Sequence, residues 1–372
     1  MSFTEVPMQN GTNRLVVVKV GSSSLTSGAG DLDPARVASV AGQIADLIDA
    51  GHRVILVSSG AIAAGFRCLG FSQKPQRICD KQASAAVGQG LLMEEYNRYF
   101  LARGLRTGQL LLTREDFADN RRFKNAYAAL GVLLDRGAVP IINENDTIAV
   151  DEIKIGDNDT LSAQVAAMVH ADLLILLTDI DGLYTADPAK HPEAKHIDLV
   201  PEISEEIFAL AGGAGSSVGT GGMQTKLRGA ALATDAGVEV MICSSSEPDV
   251  LARAVRGEVT ATRFAVHRTM PTRRQWLAFY AKPKGRLWID AGAVGALLDK
   301  KKSLLPPGVV RAEGDFRPGD VVEVLALGDG APIGRGIVRY DREELLSLAK
   351  TPGVHGEAIH RDDWVTLGKE HI

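Results

Sequence analysis

Cysteine is scarce, with three residues in 372: Cys68, Cys79 and Cys243. No two form a CxxC pair, and no cluster of histidine and cysteine surrounds them. A disulfide framework or a zinc site is not expected. The expectation is small buried or half-buried thiols in a reducing compartment. Long apolar runs are lacking too. Residues 15–18 and 173–177 are strand-sized, and residues 1–14 are polar, without the apolar stretch of a secretion signal. The expected location is the cytoplasm, with no membrane partner. There is no tandem repeat and no Walker A string, GxxxxGK[ST].

The composition is that of a soluble globular protein, 45% apolar and 23% charged. The length predicts two domains. Over the first two-thirds, strand and helix signals alternate. Strands are expected at 15–20, 53–58, 110–112, 139–142, 173–177 and 238–242, from short β-branched or apolar runs. Helices are expected at 34–50, 83–101, 125–136, 160–170 and 227–236. Residues 34–50 show apolar positions at helical spacing, with Pro34 in the first turn and Gly51 past the end. Such alternation predicts an α/β fold, a mostly parallel sheet sandwiched by helices, with ligands beyond the carboxyl ends of the strands. After about residue 260 the pattern changes to short strands with Gly/Pro turns, predicting a small β-rich second domain. The expected boundaries are 1–265, a linker at 266–283, and 284–372.

Net charge is −5, unevenly spread. From Arg263 to Arg311 there are eleven Lys/Arg and two acids, so this segment is +9 and the remainder −14. With Trp276, Phe279, Tyr280 and Trp288 nearby, it raises RNA as a partner, against the plainer reading of a solvated face or an interdomain contact.

The strand ends carry the candidate chemistry. Lys19 stands inside an apolar strand followed by Gly21-Ser22-Ser23, where Gly21 would allow a tight turn. Ser58-Ser59-Gly60 follows the second strand with small residues that admit a ligand. Asn143-Glu144-Asn145-Asp146 and Lys154-Ile155-Gly156-Asp157-Asn158-Asp159 suggest recognition of a small molecule bearing both an amine and a carboxylate. Thr178-Asp179 follows the most apolar strand. Gly219-Thr220-Gly221-Gly222-Met223-Gln224-Thr225-Lys226 leads into a helix, as a phosphate cradle does; the run 212–222 reads as a mobile loop.

Six strings in order, VVKVGSS (17–23), SSGAIAAG (58–65), INENDTIA (142–149), KIGDNDTLSA (154–163), LLTDIDGLYTADP (176–188) and GTGGMQTK (219–226), resemble the amino acid kinase family. The nearest branch phosphorylates the side-chain carboxylate of glutamate. Residues 285–365 resemble a PUA domain. The resemblance implies ATP and Mg²⁺ as cofactors, no resident metal site, and formation of L-glutamyl 5-phosphate in proline biosynthesis. It implies Lys19, Lys226 and Asp159 as catalytic residues, with Asp159 orienting the lysines. Glutamate would meet Ser59, Asp146 and Asn158. ATP would meet Lys19, Thr178, Asp179, Thr220, Gly221, Gly222, Met223, Gln224, Thr225 and Lys226. It further implies feedback by proline, a downstream glutamyl-phosphate reductase, and a homo-oligomer. The alternatives are an aspartate or N-acetylglutamate kinase, or an RNA-binding regulatory protein.

Overall fold

The strand Leu15–Val20 (β1) is fully buried. Side chains alternate across a pleated strand, so β1 contributes to two separate faces. Val16, Val18 and Val20 join one core cluster, leaving Val17 and Lys19 to the other face. The computed structural model describes residues 13–149, 158–211, 220–266, 272–328, 330–351, 353 and 356–366. The chain packs as two compact units, Met1–Thr113 with Ala126–Thr269, and Arg114–Asn125 with Met270–Ile372.

In the first unit the further strands are Arg53–Ser58 (β2), Arg106–Leu112 (β3), Ala138–Glu144 (β4), Leu173–Thr178 (β5), Leu183–Tyr184 (β6), His196–Ile197 (β7), Leu199–Val200 (β8), Glu239–Ser244 (β9) and Ala261–Phe264 (β10). Eight form one sheet in the order β3-β4-β2-β1-β5-β9-β10-β8, and β6 pairs with β7. The sheet is parallel except where β10 runs against β9. The order reverses beside β1, where a doubly wound sheet opens its ligand crevice. Lys19 pairs in register with Val57 on one side and Leu176 on the other.

The helices are Ser22–Leu25 (α1), Pro34–Asp49 (α2), Ala61–Gly65 (α3), Ile78–Ala102 (α4), Arg114–Ala118 (α5), Asn120–Asp135 (α6), Asn158–Met168 (α7), Glu205–Leu210 (α8), Thr220–Asp235 (α9) and Val250–Arg256 (α10). Apolar residues of α2, α4 and α10 pack on the Val16/Val18/Val20 face. The opposite face of β1, β2, β4 and β5 meets α7, which packs on α9. Every residue of α7 except Thr160 is buried. α2 starts as its sequence indicates: Pro34 stands in its first turn and Ala35 N–H donates to Asp33.

Three expectations need correction. α4 begins at Ile78, not 83, because its exposed first turn lacks the periodicity of the packed part. Cys68 and Cys79 are exposed; only Cys243 is buried. Cys68 lies in a surface 3-10 turn that buries none of its residues, and Cys79 in that first turn of α4. Gly21 is extended, at φ −76°, so the tight backbone there is instead at Gly60, with φ 109°.

The second unit holds Gly285–Ile289 (β11), Val309–Gly314 (β12), Val321–Ala326 (β13), Pro332–Val338 (β14) and Ile359–Thr366 (β15), in the order β12-β11-β13-β14-β15. Its helices are α5 and the start of α6, which belong to this unit, with Thr272–Gln275 (α11), Ala291–Leu298 (α12) and Arg342–Ala349 (α13). A π-turn follows α11 at Trp276–Tyr280, so part of the stretch read as a linker is helical. Leu287, Val322, Val324, Val338 and Ile359 centre the core. Trp276 and Tyr280 are also buried: the Trp276 indole N–H donates to Phe117 O at 3.0 Å, and the Tyr280 ring lies 5.6 Å from that of Phe117. They are core residues, unavailable as a platform for nucleic-acid bases. Among the described residues, four of the segment's basic side chains have acidic partners, in the Lys284–Asp320, Arg286–Glu323 and Arg311–Glu313 pairs of this unit and the Arg263–Glu239 pair of the first.

Candidate active site

An ammonium inside a strand requires a counter-charge, and α7 supplies it. Lys19 Nζ lies 2.6 Å from Asp159 Oδ1. Lys226, in the second turn of α9, brings Nζ to 3.5 Å from Asp159 Oδ2, and the Thr225 hydroxyl donates to that oxygen at 2.8 Å. Lys19 and Asp159 are 6% and 5% exposed. Burial by itself would raise the Asp159 carboxyl, but Lys19 and Lys226 outweigh it and hold it below the usual range. Two lysines share one carboxylate, leaving a positive excess in a shielded place where it acts strongly on an anion. Gly222 O accepts from both Lys226 Nζ, at 3.1 Å, and Thr225 Oγ1, at 2.9 Å, so the first turn of α9 orients both side chains.

This approach depends on a residue that sequence reasoning missed. A Cβ at Gly229 would stand 2.9 Å from Asp159 O, so glycine there is what lets α9 lie close on α7. Gly65 and Gly88 play the same part between α3 and α4: added Cβ atoms would come within 2.0 Å of Ser84 O and 1.8 Å of Ala61 O. The recurrence of glycine on facing helices was the available signal. At Gly21, by contrast, a Cβ would make only ordinary contact, 3.5 Å from Lys19 Nζ.

A second cluster sits at the ends of β2 and β4. Asn158 Nδ2 donates to Ser59 Oγ at 2.8 Å, Asn143 Oδ1 at 2.9 Å and Ser58 O at 3.3 Å. Its Oδ1 is buried without a hydrogen-bond partner among the described residues. An orphaned buried acceptor at 2% exposure is costly unless a ligand donates to it. Ser58 Oγ pairs with the Tyr96 hydroxyl at 2.9 Å. Asn143, part of a noted string but not selected, is the hub: its Oδ1 also accepts from Glu144 N–H, and its Nδ2 donates to Gln89 Oε1, each at 2.9 Å.

Asp146 lines a small cavity with Ala61, Gln89, Glu144 and Asn145. Burial first, and the Glu144 charge second, push its carboxyl up to about 7. A carboxylate held at this cost, beside a second acid, suits a cationic amine.

The structure thus joins Lys19, Asp159, Gly222, Thr225 and Lys226, and separately Ser59 with Asn158. Asp146 belongs to the adjoining cavity. Thr178 is buried at the end of β5, where its hydroxyl donates to exposed Asp179 at 2.8 Å. Thr220, Gly221, Met223 and Gln224 lie in the first turns of α9. Residues 150–157 and 212–219, which include Lys154, Asp157 and Gly219, lie outside the described residues.

The amino acid kinase family profile matches residues 14–244, and the PUA domain profile residues 285–360. A glutamate 5-kinase of Streptococcus sanguinis (strain SK36) is 53% identical over 356 residues, covering 95% of this chain and 96% of that one. One of Streptococcus pneumoniae (strain Hungary19A-6) is 52% identical with the same coverage. A solved carbamate kinase of Giardia lamblia bound to AMP-PNP covers 68% of this chain and 99% of its own, at 21% identity and a TM-score of 0.49.

Proposed function

The chain belongs to the amino acid kinase family, and we propose that its paired clusters transfer the γ-phosphoryl group of ATP to the side-chain carboxylate of L-glutamate. The activity is that of a glutamate 5-kinase, forming L-glutamyl 5-phosphate at the first step of proline biosynthesis. The observation that carries the assignment of roles is the buried triad, with Lys19 and Lys226 on the two oxygens of Asp159. Asp159 orients the lysines. Both ammonium groups face the transferring phosphoryl and stabilise charge on its oxygens and on the leaving group. Thr178, Asp179 and residues 220–226 hold the nucleotide. Ser59, Asn158 and Asp146 hold glutamate, the Asn158 Oδ1 and the Asp146 carboxylate accepting from its ammonium group.

The acceptor carboxylate is already an anion, so no protein base is required; attack is in line with the leaving oxygen, and catalysis is positioning and electrostatics. Mg²⁺ fits this site as an ion carried by the ATP phosphates. Both oxygens of Asp159 are engaged by lysines, and among the described residues no group of three His, Cys, Asp or Glu side chains could cage it. When bound, it neutralises phosphate charge.

The product acyl phosphate hydrolyses readily, which calls for a reductase that consumes it. Proline shares glutamate's α-amino and α-carboxyl groups, so we place its feedback in the same pocket, where added glutamate relieves it. Assembly as a homo-oligomer is readable by light scattering. No helix among the described residues is long and apolar enough to cross a membrane. The aspartate, N-acetylglutamate and RNA-regulator alternatives are not favoured.

The test is hydroxylamine trapping with ATP and Mg²⁺. L-glutamate should give hydroxamate, with little from aspartate or N-acetylglutamate. Equal or greater yield from either competitor overturns the assignment.

A further inference from the structure

The acceptors assigned to substrate so far, Asp146 and Asn158 Oδ1, suit an ammonium group. Glutamate also carries an α-carboxylate, which needs donors. Resting on the glutamate reading above, we propose that Gln89 of α4 is a specificity residue that binds this α-carboxylate through its Nε2 amide.

The argument is one of hydrogen-bond polarity. A side-chain amide can be turned either way unless an unambiguous donor or acceptor fixes it. Here two backbone groups do so. Glu144 N–H can only donate, so the Asn143 atom that it reaches at 2.9 Å is Oδ1. Ser58 O can only accept, so the Asn158 atom at 3.3 Å is Nδ2. The two assignments agree with the Asn158–Asn143 bond that joins them. Asn143 must then present Nδ2 to Gln89, and Gln89 must answer with Oε1, at 2.9 Å. The chain is fixed at both ends: Asn158 offers an acceptor, and Gln89 is left with its donor arm.

Gln89 lines the same cavity as Asp146 and Glu144. Two other side chains there could donate, Asn145 and Thr147. The Thr147 side chain is exposed and its hydroxyl turns freely; Asn145 is anchored through its backbone N–H, which donates to Leu112 O at 3.0 Å, and that leaves its amide free to present either atom. Gln89 alone in this set has its amide oriented in advance, and a preoriented donor spends least on ordering when the ligand arrives. Its backbone position is equally constrained, because the adjacent Gly88 sits against Ala61 O with no space for a Cβ.

The test separates this role from mere support of Asn143. In Gln89→Glu the carboxylate still accepts from Asn143 Nδ2, so the amide chain survives while the donor becomes a negative charge. Activity is read by hydroxamate formation at about pH 8.5, where the new acid is ionised and cannot donate. Two substrates are compared: L-glutamate, and its 1-amide, in which a carboxamide replaces the α-carboxylate and the side-chain carboxylate remains. The wild-type protein should prefer glutamate. In Gln89→Glu the KM for glutamate should rise at least about thirtyfold with the KM for ATP unchanged, and the preference in kcat/KM should shift towards the 1-amide by about a hundredfold or more. Gln89→Met, which loses both arms, should raise the KM for glutamate and narrow the preference without inverting it. An unchanged preference in Gln89→Glu overturns the proposal and leaves Gln89 as support for Asn143. Inversion by Asn145→Asp in its place also overturns it. If Gln89→Glu does not fold, an unchanged preference in Gln89→Met decides against it. A wild-type protein inactive with glutamate would mean failure of the parent reading, a distinct result.

Discussion

Asp146 and Asp159 are both carboxylates withdrawn from water, and their surroundings drive them apart. Asp159 has two lysines and is held ionised; Asp146 has Glu144 beside it and is pushed up to about 7. The sign of the pH dependence follows. Glutamate's ammonium needs Asp146 ionised, so below about pH 7 binding must first release its proton. The KM for glutamate should therefore rise as pH falls through that region, by up to about tenfold per unit, and level off above it. Initial rates across pH check this, and Asp146→Asn should flatten the profile while raising the KM throughout. For Asp159 the folded value lies below the unfolded one, so its contribution to stability is present above the unfolded value and lost as pH falls through the folded one. Asp159→Asn leaves Lys19 buried without its counter-charge and should destabilise the fold by about 3 kcal/mol in urea unfolding.

At the scale of elements, the site is a consequence of how closely helices approach. Gly229→Ala would set a methyl 2.9 Å from a backbone oxygen of α7, which cannot yield as a side chain would. The expected cost is about 1–3 kcal/mol in unfolding free energy, with kcat falling as Lys226 retreats from Asp159. Gly88→Ala, at 1.8 Å from Ala61 O, should be the more damaging of the two in thermal unfolding. These contacts also mark what the sequence could not disclose. β1, β2 and β5 were legible because short apolar runs bounded by small or polar residues have few other readings. Lys19 was legible because it breaks the pattern of its strand; Asn158 and Asp159, ordinary residues at a helix start, were marked by the family resemblance. Gln89 breaks nothing: a polar residue on a long amphipathic helix looks like solvent face until the fold places Asn143 against it. Gly229 lies on α9 among ordinary helical residues, and its meaning exists only once α7 is beside it.

For the whole molecule, every proposed site residue precedes residue 245, while Arg114–Asn125 packs with the C-terminal unit. No local property of residues 114–125 announces that membership, since Phe117 and Phe123 read as the core of their own helices. A chain ending at Val266 keeps the proposed catalytic residues but removes Tyr280, whose ring lies 5.6 Å and 5.8 Å from those two phenylalanines. It should aggregate in light scattering. Replacing both phenylalanines with serine in the shortened chain should restore a monodisperse protein with measurable kinase activity; a folded but inactive product would assign the C-terminal unit a part in building the site. The central claim is that two lysines held by one buried carboxylate act on the phosphoryl group in transit. Single-turnover transfer from γ-labelled ATP to glutamate tests it most directly. Lys19→Ala and Lys226→Ala should each slow the chemical step by about a hundredfold or more, with the Kd for glutamate little changed; transfer at the wild-type rate in either variant would contradict the account.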